Sequence, residues 1–191
     1  MTLNTEPLQK WAKEIHGIAC AHGWHEQKQP EGLYMCLVMT EVAEAVEADR
    51  NEKRANTEVM DDLMRIQAAS GEGLSAQWYY MWYSEYYRMY IKGSVEEEFA
   101  DILIRILDYC YERWGDNWFG YFANEPACET FAENAYVFVK DVLDIGNTDA
   151  LSAIHYMYCW AEQLGIDLDK HILWKMKYNE LRPYKHGGKK Y

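Results

Sequence analysis

The chain has 191 residues, 49% of them hydrophobic and 26% charged, with a formal net charge of −12. That length supports one substantial core and gives no reason for a second domain, so residues 1–191 are read as a single domain. The acidic balance disfavours general nucleic-acid binding, because a negative body repels phosphate backbones.

Only four prolines occur, β-branched alternation is largely missing, and apolar residues recur at three and four rather than two. This spacing predicts an all-α helical bundle. The first helix runs from about Glu6 to Ala21, with Leu8, Trp11, Ile15, Ile18 and Ala19 on its apolar side, and Gly23 ends it. A polar link from Trp24 to Pro30 leads into a second helix reaching about Asp49. Charged residues from Arg50 to Glu58 mark an exposed connection, then a helix from Glu58 to Ala69 stops at Gly71 and Gly73. Trp78 to Tyr90 holds eight aromatics in thirteen positions, which suits a core or subunit-interface helix, or alternatively a wall for stacking a base. Gly93 closes that segment.

The helix from Ser94 to about Tyr111 has an apolar face of Val95, Phe99, Ile102, Leu103 and Ile106. Its polar stripe, Glu98, Asp101, Arg105 and Asp108, is expected to be solvated on periodicity alone. Gly115 to Asn117 ends the helix, and Trp118 to Phe122 reads as an aromatic loop. Helices are expected over Glu125–Ile145 and Asp149–Leu164, separated by Gly146 and Asn147. A last helix from Leu168 to Tyr178 precedes a tail in which Pro183 and Gly187–Gly188 stop helix formation. From Lys170 to Tyr191 the local charge is +6, leaving −18 for the rest. A short basic tail on an acidic body suits a small anionic ligand.

No stretch approaches the ~20 apolar residues of a membrane span. No basic, apolar and cleavable N-terminal segment suggests secretion. Five scattered cysteines without C-x-x-C argue against a disulfide framework or a structural zinc and for reduced thiols in a cytoplasm. The six histidines are isolated in the sequence.

Two acidic pairs carry the chemistry. Glu41-x-x-Glu44 and Glu98-x-x-Asp101 each place two carboxylates on neighbouring positions of a helix, with Cβ atoms roughly 5–6 Å apart. Four hard oxygen donors from facing helices suit Mg²⁺ or Mn²⁺, and the ion would clamp a polyphosphate. The same spacing recurs at Glu44/Glu47, Asp49/Glu52, Glu58/Asp61 and Asp141/Asp144, so context matters. A helical wheel puts Glu41 and Glu44 in the sector of Leu33, Leu37 and Ala48, where a carboxylate needs a partner or a metal.

Taken with the tail from Arg182 to Lys189, these pairs resemble the MazG-like nucleoside triphosphate pyrophosphohydrolases of the all-α NTP pyrophosphatase superfamily. The matching segments are roughly 5–50, 94–110 and 161–191, with additional helical insertions at approximately 51–93 and 111–160. The resemblance implies hydrolysis of an NTP or dNTP to monophosphate and pyrophosphate, with Mg²⁺ or Mn²⁺ on Glu41, Glu44, Glu98 and Asp101 as the catalytic set. One of these, or Glu47 or Glu97, would accept a proton from the attacking water. Arg182, Lys185, Lys189 and Lys190 would neutralise phosphates, Trp24 would stack on the base, and a homodimer or homotetramer is implied. Two other classes compete. A ferritin-like di-metal bundle needs Glu-x-x-His, which does not occur. A non-catalytic helical protein would use the aromatic 78–90 segment as a partner surface.

Overall fold

The computed structural model describes residues 5–70, 76–116, 128–142 and 150–188. All regular structure among them is helical, as the spacing predicts. In chain order the helices are α1 (Thr5–Ala21), α2 (Glu31–Arg50), α3 (Thr57–Ser70), α4 (Ala76–Tyr90), α5 (Val95–Trp114), α6 (Phe131–Val142), α7 (Ala150–Gln163) and α8 (Leu168–Glu180), then a single turn α9 (Lys185–Gly188). The expected breaks at Gly71 and Gly73 and at Gly146 and Asn147, the aromatic loop 118–122, and Lys189 and Lys190 fall outside the described residues.

α5 is the axis of the bundle. Ser94 caps it, its side chain accepting from the Glu97 amide at 3.2 Å, and Glu96, Glu97 and Glu98 in the first turn favour the positive end of the helix dipole. α1, α2, α7 and α8 all pack on it. Val95, Phe99, Ile102, Leu103, Ile106 and Leu107 are fully buried, and Glu97 and Glu98 are nearly so. The polar stripe of α5 is therefore not the wet face that amphipathic spacing predicts, because partners cover the helix on that side too.

The two segments read as insertions behave differently. α6 and α7 enter the main core, where Phe131 and Trp160 pack with ring centroids 4.7 Å apart. α3 and α4 instead pair with each other and build a second, smaller core against α8. In α4, Tyr79, Tyr83 and Tyr87 at successive i+4 positions form the buried stripe. Tyr87 stacks on Tyr178 at 4.4 Å, and the Tyr83 hydroxyl donates to the Trp174 carbonyl at 2.8 Å. Lys170 to Asp61, 2.7 Å, ties α8 to α3. The aromatic segment thus packs as a core helix through its tyrosines only; Trp78 (55% exposed), Met81 and Trp82 lie on the outer surface.

Two of these buried tyrosines, Tyr83 and Tyr87, give a direct check. Tyr83→Phe removes a made hydrogen bond and should cost about 1 kcal/mol. The Tyr87 hydroxyl has no hydrogen-bond partner among the described residues, so Tyr87→Phe should be neutral or slightly stabilising. Chemical denaturation of both variants measures the difference; equal losses would contradict this arrangement of α4 on α8.

Candidate metal centre and its cavity

α2 faces α5 with Val38, Val42 and Ala45, all buried. Glu41 falls in the same sector and is buried, while Glu44, one turn on, reaches the rim and is exposed. Across from them α5 presents Glu98, only 5% exposed. Glu41, Glu44 and Glu98 each bring a carboxylate oxygen within 4.8 Å of the other two. Ligands on opposite sides of Mg²⁺ at 2.0–2.1 Å are about 4.2 Å apart, so small side-chain movements suffice for one ion.

Asp101 is placed differently from the expectation. It lies beside the trio, close enough to raise both Glu41 and Glu98 electrostatically, but its Oδ2 is 2.6 Å from the Lys175 ammonium. Lys175 comes from α8, is 4% exposed, and also meets Glu97 Oε1 at 2.5 Å. Burial alone would lower its pKa; the Asp101 and Glu97 carboxylates outweigh burial and hold it above the usual lysine range. Glu97 is committed on its other side as well, accepting from the Gly93 amide. Glu47 is exposed and bound to Arg50 at 2.7 Å, outside the cavity lining. Neither suits proton transfer at the centre.

The trio is left with excess negative charge. Arg105 converges on one oxygen of Glu41, its Nε and Nη2 each 3.1 Å from Oε1. Even so, burial first and Asp101 second push Glu41 up to about 7. Burial, then Asp101, Glu97 and Glu44, push Glu98 up to about 9. Glu98 Oε2 is buried and has no hydrogen-bond partner among the described residues. A buried carboxylate with an unused oxygen, facing two more, fits a divalent cation of the hard, oxygen-seeking kind.

These carboxylates open onto a cavity of about 570 Å³, a size suited to a small-molecule ligand. Trp24, Leu33 and Leu37 give it an apolar side, and Lys92, Arg105, Arg182 and Lys185 bring positive charge to the lining. The tail reaches the cavity because it is docked. The Arg182 carbonyl lies 2.8 Å from His22 Nε2, the Lys185 amide donates to the His22 carbonyl at 3.0 Å, and the Lys185 ammonium pairs with Glu26 at 3.0 Å. Tyr184 donates to Glu26 and lies over Gly23, where a Cβ would come within 2.5 Å of its ring. Gly23 therefore does more than end α1. A polar, Gly-rich tail is expected to contribute little stability; docked in this way, residues 182–185 hold the α1–α2 link in place. Trp24 meets His186 edge-on, with ring centroids 5.2 Å apart.

Sequence reasoning thus brings Glu41, Glu44, Glu98, Asp101, Arg182, Lys185 and Trp24 to one cavity. It misses Arg105 and Lys92, and above all Lys175. A lysine in the apolar sector of α8, with Leu168 and Ile172, was the available signal. Compared with protein-family models, curated proteins and solved structures, the chain matches none of them.

The raised carboxyl of Glu98 has a measurable consequence. An unfolded glutamic acid loses its proton near 4.5, the native one near 9, so the metal-free native state binds more protons between those values and its stability falls as pH rises through them. Thermal unfolding of metal-free protein should show a Tm that declines across this window. Glu98→Gln should flatten the decline, as should saturating Mg²⁺. An unchanged slope in Glu98→Gln would place the charge strain elsewhere.

Proposed function

We propose that this chain is a divalent-cation-dependent nucleoside triphosphate pyrophosphohydrolase of the MazG-like kind, releasing monophosphate and pyrophosphate. The observation that carries this reading is the convergence of Glu41, Glu44 and Glu98 in a cavity that Arg182, Lys185, Arg105 and Lys92 also line. Carboxylates without a cation would repel a triphosphate; carboxylates that hold one, ringed by basic side chains, attract it.

Glu41, Glu44 and Glu98 hold the cation, which when bound neutralises phosphate charge and makes a water more acidic. Phosphoanhydride cleavage needs charge neutralisation and an aligned water rather than a protein nucleophile. Arg182 and Lys185 bind the outer phosphates, the leaving pyrophosphate among them. Lys185 must give up part of its pairing with Glu26 to do so, while Arg182, half-buried against Tyr178 at 5.8 Å, is already positioned. Trp24, Leu33 and Leu37 give the base an apolar wall. Glu44, the exposed member of the trio, accepts the proton of the attacking water at a carboxylate oxygen. Asp101 orients the centre through Lys175 and by its negative charge beside Glu41 and Glu98.

A second reading, a non-catalytic partner-binding protein, draws on the exposed Trp78, Met81, Trp82 and Met89. The same face is compatible with self-association of the enzyme. Incubation with a panel of NTPs and dNTPs separates the two. Mg²⁺- or Mn²⁺-dependent release of pyrophosphate and monophosphate from at least one nucleotide is expected. Glu41→Gln should lower kcat by at least about 100-fold, the scale of losing a principal electrostatic element at a reacting centre. Nucleoside diphosphate and orthophosphate as products, or no turnover with any nucleotide, would overturn the proposal.

A further inference from the structure

A second cluster of ligating side chains borders the same cavity through His25 and Asp108 and takes no part in the proposed hydrolysis. α1 supplies His16 and Cys20, and α5 supplies Asp108 and Glu112; each pair is four residues apart and so shares a helix face. The chain between α1 and α2 folds His25 back against them, its ring centroid 4.3 Å from that of His16. Asp108 holds the two imidazoles side by side, and Glu112 and the Cys20 thiol lie beyond them.

The distances within the cluster fall into two sets. Asp108 Oδ1 is 3.0 Å from His16 Nδ1 and 2.9 Å from His25 Nε2, which are hydrogen bonds. On the far side of both rings the separations are longer. His16 Nε2 is 3.6 Å from Glu112 Oε2 and 3.5 Å from Cys20 Sγ, and His25 Nδ1 is 3.7 Å from the same Glu112 oxygen. Nitrogen–oxygen separations of that size are too long for hydrogen bonds. These three separations are near the edges of a tetrahedron around zinc, about 3.3–3.6 Å for Zn–N and Zn–O near 2.0–2.1 Å and Zn–S near 2.3 Å. To close the other three edges the Cys20 and Glu112 side chains must rotate inward, and His25 Nδ1 must give up its contact with the Tyr34 hydroxyl at 3.4 Å. A carboxylate that accepts from the far nitrogen of each ligating histidine is the usual outer shell of such a site, and Asp108 serves both rings at once.

We propose that His16 Nε2, His25 Nδ1, Cys20 Sγ and Glu112 Oε2 form a four-coordinate site for Zn²⁺ or a similar transition ion, with Asp108 orienting the two imidazoles. Cys20 binds as the thiolate, its proton passing to solvent. Four protein ligands close the coordination sphere, so the ion is structural. It fastens the end of α1 and the link bearing Trp24 to α5, and thereby sets one wall of the cavity, where His25 and Asp108 are exposed to the interior. Nitrogen and sulfur donors distinguish this site from the all-oxygen trio, which prefers Mg²⁺ or Mn²⁺. Neither C-x-x-C nor a histidine motif announces it, since the ligands lie on two helices and a loop.

The test is titration of metal-stripped, full-length protein with Co²⁺ in excess Mg²⁺. One equivalent should bind, giving the intense visible bands of four-coordinate cobalt and a thiolate charge-transfer band in the near ultraviolet, both displaced by Zn²⁺. Cys20→Ser, at an exposed position, should remove the charge-transfer band. Asp108→Asn should weaken binding by about 10–100-fold, and Glu98→Gln should leave the spectrum unchanged, which separates this site from the hydrolytic centre. Circular dichroism of each metal-free variant verifies that it folds. Failure to bind Co²⁺ under excess Mg²⁺, a charge-transfer band that survives Cys20→Ser, or binding lost in Glu98→Gln would each overturn the proposal.

Discussion

The ammonium of Lys175, buried between Glu97 and Asp101, is the interaction on which the rest of this molecule depends. α5 carries Glu97, Glu98 and Asp101 within one and a half turns, and α2 brings Glu41 and Glu44 towards them. Such a concentration of carboxylates under low exposure would not fold without compensation. Lys175 neutralises two of them from below, and Arg105 engages Glu41 from the side. What remains is a smaller set, Glu41, Glu44 and Glu98, whose charge is left for something from outside. The division of labour is electrostatic: one part of the acidic group is spent on α8, and the other is the set we propose to take a cation.

That arrangement also explains why α8 and the tail belong to the site. α8 delivers Lys175 to α5 and, through Trp174 and Tyr178, anchors the α3–α4 pair. Immediately after α8 the chain turns back over the α1–α2 link, so that Arg182 and Lys185 reach the cavity while their backbones satisfy His22. The basic tail is therefore positioned by its own main chain and by Tyr184, and its charge is delivered to a defined place. Truncation there would disturb both the cations and the link that carries Trp24 and His25.

Much of this was legible in the sequence, and the misses have physical causes. Glu41 and Glu44 stand out because α2 is half-buried, so an acid in its apolar sector is conspicuous. Glu98 and Asp101 do not, since α5 is covered on nearly every side and a polar stripe on a covered helix looks the same as one on a wet helix. Lys175 is visible only as an oddity in an apolar sector, with its partners some 75 residues earlier. The tyrosine stripe of α4 follows helical spacing, yet spacing alone does not tell whether Tyr79, Tyr83 and Tyr87 or Trp78 and Trp82 face inward. His16, His25, Asp108 and Glu112 are brought together by the bend after Gly23, which no local pattern reveals.

The measurement closest to the centre of this picture is Mn²⁺ binding to the full chain, followed by electron paramagnetic resonance. One Mn²⁺ per chain, displaced by Mg²⁺, is expected in the wild type, with affinity lost in Glu98→Gln although that variant remains folded. Binding in Glu98→Gln as tight as in the wild type would contradict a metal centre at Glu41, Glu44 and Glu98.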